Sequence, residues 1–294
     1  MTARILVGTA SWTDHDPFYP PGVTGADRLV WYAEHFPYVE IDSSYYHIPP
    51  ARVTAGWAAR TPDGFMMDIK AHRTMTLHER QAGKPVPPSE EDLRWFEFAL
   101  NPLREAGKLG AILYQWPPWF TATPASFDEL ARVRERHPDD RVAIEFRHRS
   151  WGEPETWERV TDLLSEAKLT YCCVDEPQIG SGTMTPVVAA TTPELAIIRL
   201  HGRNARTWYK RVEKTGQRFD WWYAEEELDE IAKSVRDLAE AAAEVHVSVN
   251  TNGYNQGPVN ALKLAGVLDL PQADPRLLAE LLASTATGDS KATT

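Results

Sequence analysis

Cysteine is nearly absent: Cys172 and Cys173, side by side in an apolar stretch, are the 2 cysteines of a 294-residue chain. Adjacent cysteines do not close an ordinary disulfide and lack zinc-site spacing, so no disulfide framework or structural zinc is expected, and a reducing compartment is. Long apolar runs are missing as well. None reaches the roughly 18 residues of a membrane span, and Met1 to Arg4 lead into strand-like sequence without the apolar core of a secretion signal; a cytoplasmic protein without membrane contact is expected. Positive charge is scarce, 31 Lys and Arg against 42 Asp and Glu for a net charge of −11. That balance repels polyanions at long range and disfavours non-specific binding to nucleic acid. Neither GxGxxG nor GxxxxGK[ST] occurs, and no motif requires a cofactor.

What the chain does have is a core. With 43% hydrophobic and 25% charged residues, disorder and collagen-like structure are excluded. Its length suits two ordinary domains or one α/β barrel. The unusual counts are 11 Trp and 22 Pro, residues that shape loops and ligand surfaces as well as cores.

Eight strand-like runs recur, at Ile5 to Ala10, Val39 to Asp42, Met66 to Ala71, Ala111 to Gln115, Val142 to Phe146, Thr170 to Val174, Ala196 to Leu200 and Val245 to Asn250. Helical spacing predicts helices at Asp27 to Phe36, Val53 to Arg60, Glu90 to Glu105, Phe127 to Arg136, Glu155 to Ala167, Glu225 to Ala243, Val259 to Val267 and Pro275 to Ala283. The segment Gln178 to Pro193, rich in Gly, Ser, Thr and Pro, shows little helical pattern. Alternating strands and helices imply a parallel sheet with right-handed crossovers, and eight units close naturally. The expected fold is α/β, a single-domain (β/α)8 TIM-type barrel over residues 1–284 with long loops at its C-terminal mouth, followed by a flexible tail at 285–294.

Side-chain alternation predicts which face is inside. Val39 and Ile41 oppose Glu40 and Asp42; Met67, Ile69 and Ala71 oppose Asp68, Lys70 and His72; Val142, Ile144 and Phe146 oppose Glu145 and Arg147. Ile198 and Leu200 oppose Arg199 and His201, and the valines 245, 247 and 249 oppose His246, Ser248 and Asn250. The apolar face must meet the helices, so an unusually polar face lines the interior.

Active sites of such barrels sit at the C-terminal strand ends, which makes Ser11, Trp12, Asp42, Tyr45, Lys70, His72, Gln115, Glu145, Arg147, Asp175, Glu176, Arg199, His201, Arg203, Asn204 and Asn250 the candidates. One reading is structural: Glu40, Asp42, Glu145 and Asp175 pair with Lys70, Arg147, Arg199 and Arg203 because buried charge needs a partner. The other is catalytic. Glu145 is then the general base or acid, with Asp175 and His201 as partners and Arg147, Arg199 and Arg203 as an anion clamp. Arg203, Asn204, Asn250 and Asn252 make a possible anion site after the last two strands, or else a surface arginine and a turn. Glu145, Asp175 and His201 also form a possible ligand set for Mg²⁺, Mn²⁺ or Zn²⁺, without the fixed spacing of a metal motif and with arginines beside it.

Between Arg203 and Tyr223, the aromatics Trp208, Tyr209, Trp221, Trp222 and Tyr223 interleave with Arg206, Lys210, Arg211 and Arg218. That loop reads as a lid, a platform for single-stranded nucleic acid, a subunit contact or simple packing on the rim. The run QWPPWF at Gln115 to Phe120 is a pocket wall or loop packing.

VGTASW at Val7 to Trp12, VEIDSSYYHIPP at Val39 to Pro50, IKAHR at Ile69 to Arg73, QWPP at Gln115 to Pro118, IEFRHRSW at Ile144 to Trp151, VDEP at Val174 to Pro177, IRLHGRN at Ile198 to Asn204 and the pair Asn260-Ala261 resemble, in order, the YecE-like proteins of the DUF72 family. The resemblance runs from about residue 5 to residue 265 and implies one TIM-type barrel. It implies no reaction; a comparison with endonuclease-IV-like barrels points to nucleic-acid chemistry by likeness of fold alone. Family members commonly carry two successive asparagines at the last strand end, where this chain has Asn250, Thr251 and Asn252.

Three functions are therefore expected in order. First comes an enzyme using acid/base chemistry on a small anionic or polyhydroxylated substrate. A metal-dependent phosphodiesterase acting on nucleic acid is second, and a non-catalytic ligand-binding or interaction protein using the aromatic loop is third.

Overall fold

The computed structural model describes residues 2–210 and 218–288, with side chains to Ser284. In chain order the elements are β1 (Arg4–Ala10), α1 (Asp27–His35), β2 (Tyr38–Ile41), α2 (Ala51–Arg60), β3 (Met66–Lys70), a hairpin of β4 (Arg80–Gln81) and β5 (Lys84–Pro85), α3 (Glu90–Glu105), β6 (Leu109–Gln115) and α4 (Pro124–Arg136). There follow β7 (Val142–Glu145), α5 (Pro154–Glu166), β8 (Leu169–Asp175), β9 (Leu195–Leu200), α6 (Glu225–Ala241), β10 (Glu244–Val249), α7 (Gln256–Val267) and α8 (Leu277–Gly288).

Eight strands close into a parallel barrel in the order β1-β10-β9-β8-β7-β6-β3-β2, as the alternation of strand and helix predicts. Among the described residues no helix joins β8 to β9, where the sequence shows little helical pattern. Two details differ from expectation. The β4-β5 hairpin lies on a long connection with no strand signal, and α8 runs to Gly288, past the expected tail boundary at 285. Arg211 and residues 289–294 lie outside the described residues.

Alternation sorts the two faces of the barrel. Val7, Val39, Ile41, Ile69, Ile144, Ile198, Leu200 and the valines of β10 pack outward in one core with helix residues such as Leu100, Leu130, Val160, Val235 and Leu264. Inside, Glu40, Asp68, Lys70, Glu145, Arg199, His246 and Ser248 are all buried. The interior is less uniformly polar than expected, because Ala111, Leu113, Ala143, Cys172, Leu195 and Ile197 form an apolar plug, with Leu6, Tyr38 and Met66 as a second cluster. This plug seals the middle and leaves polar groups at both ends.

The N-terminal end holds Asp68, whose carboxylate meets His246 Nδ1 at 3.0 Å, while His246 Nε2 lies 2.9 Å from Glu244. A side chain at Gly110 would bring its Cβ within 2.2 Å of Asp68 Oδ1, so glycine there makes room for the pair. At the C-terminal end, aromatic rings fix the loops. Trp116, Phe120, Trp151 and Phe146 stack successively at centroid distances of 4.1, 5.3 and 4.2 Å, and Trp151 Nε1 donates to the Phe120 carbonyl at 2.6 Å. In the QWPPWF run the first Trp and the Phe are therefore buried loop packing, and Trp119 is exposed.

Candidate active site

Arg199 of β9 organises the mouth. Its Nε and Nη2 donate to the two oxygens of Glu40 at 2.7 and 2.6 Å, and its Nη1 donates to Glu145 and, at 3.2 Å, to Gln115 Oε1. Both carboxylates are buried, so each charge is taken from water only because the fork of the guanidinium meets it directly. Ser248 adds a hydrogen bond to Glu40 Oε2 at 2.8 Å. Arg147, one strand pitch beyond Glu145, donates to Glu145 Oε1 at 2.9 Å and lies 3.2 Å from Glu176 Oε2. Trp208 covers its guanidinium face, 5.1 Å away.

His201 completes the ring around Glu145, with Nε2 3.2 Å from Oε1, while its Nδ1 meets the Asn250 amide at 3.0 Å. Burial, reinforced by Arg147 and Arg199 against the pull of Glu145, lowers His201 to about 3, so the imidazole is neutral. Arg147 Nη1 stands 3.0 Å from the same Nε2, so Glu145 and Arg147 meet the imidazole at one nitrogen while Asn250 meets the other. Burial alone would raise the Glu145 carboxyl. Arg199, His201 and Arg147 outweigh it and hold Glu145 well below the usual carboxylate range. A carboxylate so firmly ionised is a poor proton carrier, which counts against the expected acid/base role and makes Glu145 an anchor for three neighbours.

A second group reaches the opening. Lys70 Nζ donates to Asp42 Oδ1 at 2.6 Å and stands 4.8 Å from the Tyr45 ring centroid. His78, which sequence reasoning passed over, packs edge-on to Tyr45 and Trp119 at 5.0 and 5.7 Å. Burial, then Lys70, Arg73 and Arg147, lowers His78 to about 4. Its loop position carries no strand periodicity, so no local signal marks it. His72, six positions earlier, is half-buried and hydrogen-bonds Thr74 at 2.9 Å, a local loop contact.

Asp175 does not join Glu145 and His201. It faces the outside of β8, accepting from Arg203 Nε at 2.9 Å and from the Tyr223 hydroxyl at 2.7 Å. The proposed metal trio is therefore not assembled. Arg203 leaves the clamp for the same reason: it pairs with Asp175, Glu227 and Glu230 outside the barrel. Gly202, at a φ of 77°, turns the chain out of strand alternation just before it. Asn204 binds the Asp220 carbonyl within its own loop. The anion site expected from Arg203, Asn204, Asn250 and Asn252 is thus split, since Asn250 and Asn252 stay at the mouth with His201.

The residue that takes the place of Asp175 is its neighbour. Glu176 is buried; its Oε1 accepts from the Met184 backbone N–H at 2.5 Å, and its Oε2 has no aligned hydrogen bond. Burial pushes its carboxyl up to about 7, with Glu145 and Asp175 adding to the rise and Arg147 and the Met184 N–H opposing it. At neutral pH it is shared between acid and base forms.

Ser11 ends β1 at a φ of 105°, and its Oγ accepts from the Thr13 backbone N–H at 3.0 Å, closing a tight turn. Trp12 is buried against Trp57, with ring centroids 5.4 Å apart. Neither side chain reaches Glu145. In the aromatic loop Trp208 and Phe219 pack on His201, while Tyr209 and Trp222 are exposed. No helix of the described residues is long and apolar enough to cross a membrane.

Comparison with known proteins places this geometry. A family model described as "Protein of unknown function DUF72" matches residues 6–284. The UPF0759 protein YunF of Bacillus subtilis (strain 168) is 33% identical over 269 residues, covering 90% of this chain and 95% of that protein. A crystal structure of a DUF72 family protein from Enterococcus faecalis V583 is 30% identical with a TM-score of 0.83, covering 92% of this chain and 98% of that one. One from Thermotoga maritima MSB8 is 28% identical with a TM-score of 0.76, covering 90% and 99%.

Proposed function

The chain belongs to the DUF72 family, whose members share this barrel and have no established activity, and on that premise we propose an enzyme that moves protons on a small, uncharged, polyhydroxylated substrate at the barrel mouth. The observation that carries this reading is Glu176: a buried carboxyl whose Oε2 meets only the Arg147 guanidinium, at 3.2 Å and without an aligned hydrogen bond, and which burial pushes up to about 7. A general acid or base works best with its pKa near the operating pH. Glu145 and His201 hold Arg147 and Arg199 in place behind it.

Charge accounting favours an uncharged substrate. Glu40, Asp42 and Glu145 already balance Lys70, Arg147 and Arg199 through direct ion pairs. A phosphate or dicarboxylate would have to break those pairs, whereas hydroxyl groups add donors and acceptors without disturbing them. Asp42 and Lys70 are the groups best placed to bind them. Tyr46 and Trp119, exposed on loops after β2 and β6, offer apolar faces to the carbon skeleton of such a ligand. A metal-dependent phosphodiesterase loses its expected ligand set with Asp175 turned away.

The test is turnover across a panel of neutral sugars and polyols beside their phosphorylated forms, in wild-type protein and Glu176→Gln. Turnover of neutral compounds that drops at least a hundredfold in the variant is expected. Activity confined to phosphorylated compounds, or full activity in Glu176→Gln, would overturn the reading.

A further inference from the structure

At the N-terminal end of the barrel, opposite the mouth, a cleft of about 560 Å³ is lined by Glu97, Arg104, Leu109, His137, Asp140 and Arg141. Three residues in it offer ligating atoms that lie within 4.8 Å of one another: Glu97 from α3, and His137 and Asp140 from the connection between α4 and β7. His137 is 4% exposed, yet its Nδ1 has no hydrogen-bond partner; Asp140 Oδ2 lies 3.8 Å away. Its other nitrogen, Nε2, is held by the Tyr114 hydroxyl at 2.8 Å. A buried imidazole anchored through one nitrogen, with the other bare and directed at a carboxylate, has the arrangement of a metal ligand oriented by an outer partner.

Arg104 bridges both acids, donating to Asp140 at 2.8 and 2.6 Å and to Glu97 at 2.5 and 3.0 Å, so a single positive charge serves two carboxylates. Arg136 is paired with Glu129, Arg141 with Glu244, and Arg134 donates to the backbone carbonyls of His137 and Asp140 at 2.6 and 3.0 Å. A doubly charged ion in place of the Arg104 guanidinium would neutralise Glu97 and Asp140 together and would give His137 Nδ1 its missing partner.

We propose that Glu97, His137 and Asp140 form a site for a divalent transition-metal ion, Zn²⁺ foremost, which displaces the Arg104 guanidinium when it binds. Two carboxylates and a neutral imidazole suit Zn²⁺, with water in the fourth position, better than Mg²⁺, which prefers oxygen ligands. Tetrahedral ligands lie about 3.4 Å apart at ordinary Zn²⁺ distances, so the site must contract. The Glu97 side chain, 46% exposed, and that of Arg104, 27% exposed, have the freedom to do so. Bound metal would tie α3 to the loop before β7 and stabilise the fold by mass action.

Calorimetric titration of chelator-stripped protein with Zn²⁺, alongside visible absorption with Co²⁺ and thermal melting, tests the site. One ion per chain, a raised Tm and no competition from equimolar Mg²⁺ are expected. Glu97→Gln should weaken Zn²⁺ at least tenfold, His137→Phe should remove the binding while keeping an aromatic ring in place, and Arg104→Met should tighten it by removing the competing cation. Absence of stoichiometric binding overturns the proposal. So does binding that ignores the Glu97 and His137 changes, or that weakens in Arg104→Met.

Discussion

Arg199 and Glu40, 159 positions apart in the chain, meet inside the barrel in a two-point ion pair, Nε to Oε2 at 2.7 Å and Nη2 to Oε1 at 2.6 Å, with both side chains sealed from water. The pair joins β9 to β2 across the interior, and its second carboxylate partner, Glu145, links β7 to the same guanidinium.

Replacing Arg199 by Met strands the buried Glu40 carboxylate without its ion-pair partner and takes from Glu145 one of its two arginines. Removing one partner of a buried pair costs about 3–5 kcal/mol, so Arg199→Met should lower unfolding stability by at least that much. Urea denaturation followed by fluorescence measures it. A loss below about 1 kcal/mol would mean that the pair does not hold the mouth together.

Glu176 predicts a dependence on pH. Its carboxyl is raised to about 7 in the folded protein, so folding favours its protonated form. The associated stability is complete below the unfolded value near 4.3 and is lost as pH rises through about 7. Relative to Glu176→Gln, wild-type protein should lose about 3 kcal/mol between pH 4 and pH 8. Parallel flat differences across that range would contradict the buried carboxyl, as would a ¹³C-labelled glutamate spectrum with no carboxyl titrating near neutrality.

His246 works at the opposite end of the barrel and also loses its contribution in alkali. Burial alone would lower its imidazole, but Asp68 and Glu244 outweigh it and raise it above the usual value. Stability from this group is full below the unfolded value near 6.5 and is lost as pH climbs through the raised folded value. In His246→Asn the alkaline decline expected of wild-type protein should flatten above the unfolded value near 6.5. Urea midpoints at stepped pH values decide between the two shapes.

Arg203 supplies a control on the shape of the site. It lies outside the barrel with a side chain 30% exposed, paired to Asp175, Glu227 and Glu230. Such solvent-screened pairs are worth about 1 kcal/mol or less each. Arg203→Ala should cost little stability and leave kcat for the mouth substrate within about twofold of wild type. A collapse of kcat with stability intact would return Arg203 to the substrate site.

The contrast between Asp175 and Glu176 shows how much of the site was legible beforehand. Along β8, Cys172 lies in the interior plug while Tyr171 and Cys173 lie in the outer core, so Asp175 continues the outer set and Glu176 the inner one. That alternation is present in the sequence: Glu176 stands among the candidates, and strand parity gives it, rather than Asp175, the place beside Glu145. Nothing comparable marks His78, which reaches the mouth on an irregular loop. Nor does anything local show that Arg203, two positions after His201, turns outward; that follows from the positive φ of Gly202 and the pull of Glu227 and Glu230 on α6.

Composition and periodicity by themselves determined an α/β barrel with charged residues facing its interior, because side chains alternate along a strand and an apolar face must meet helices. Only the closed tertiary structure decided which charges meet. Whether Arg199 neutralises Glu40, whether Glu145 is left an anchor, and whether Glu176 keeps a proton near neutrality depend on distances across the barrel and on exclusion of water. Local sequence sets neither.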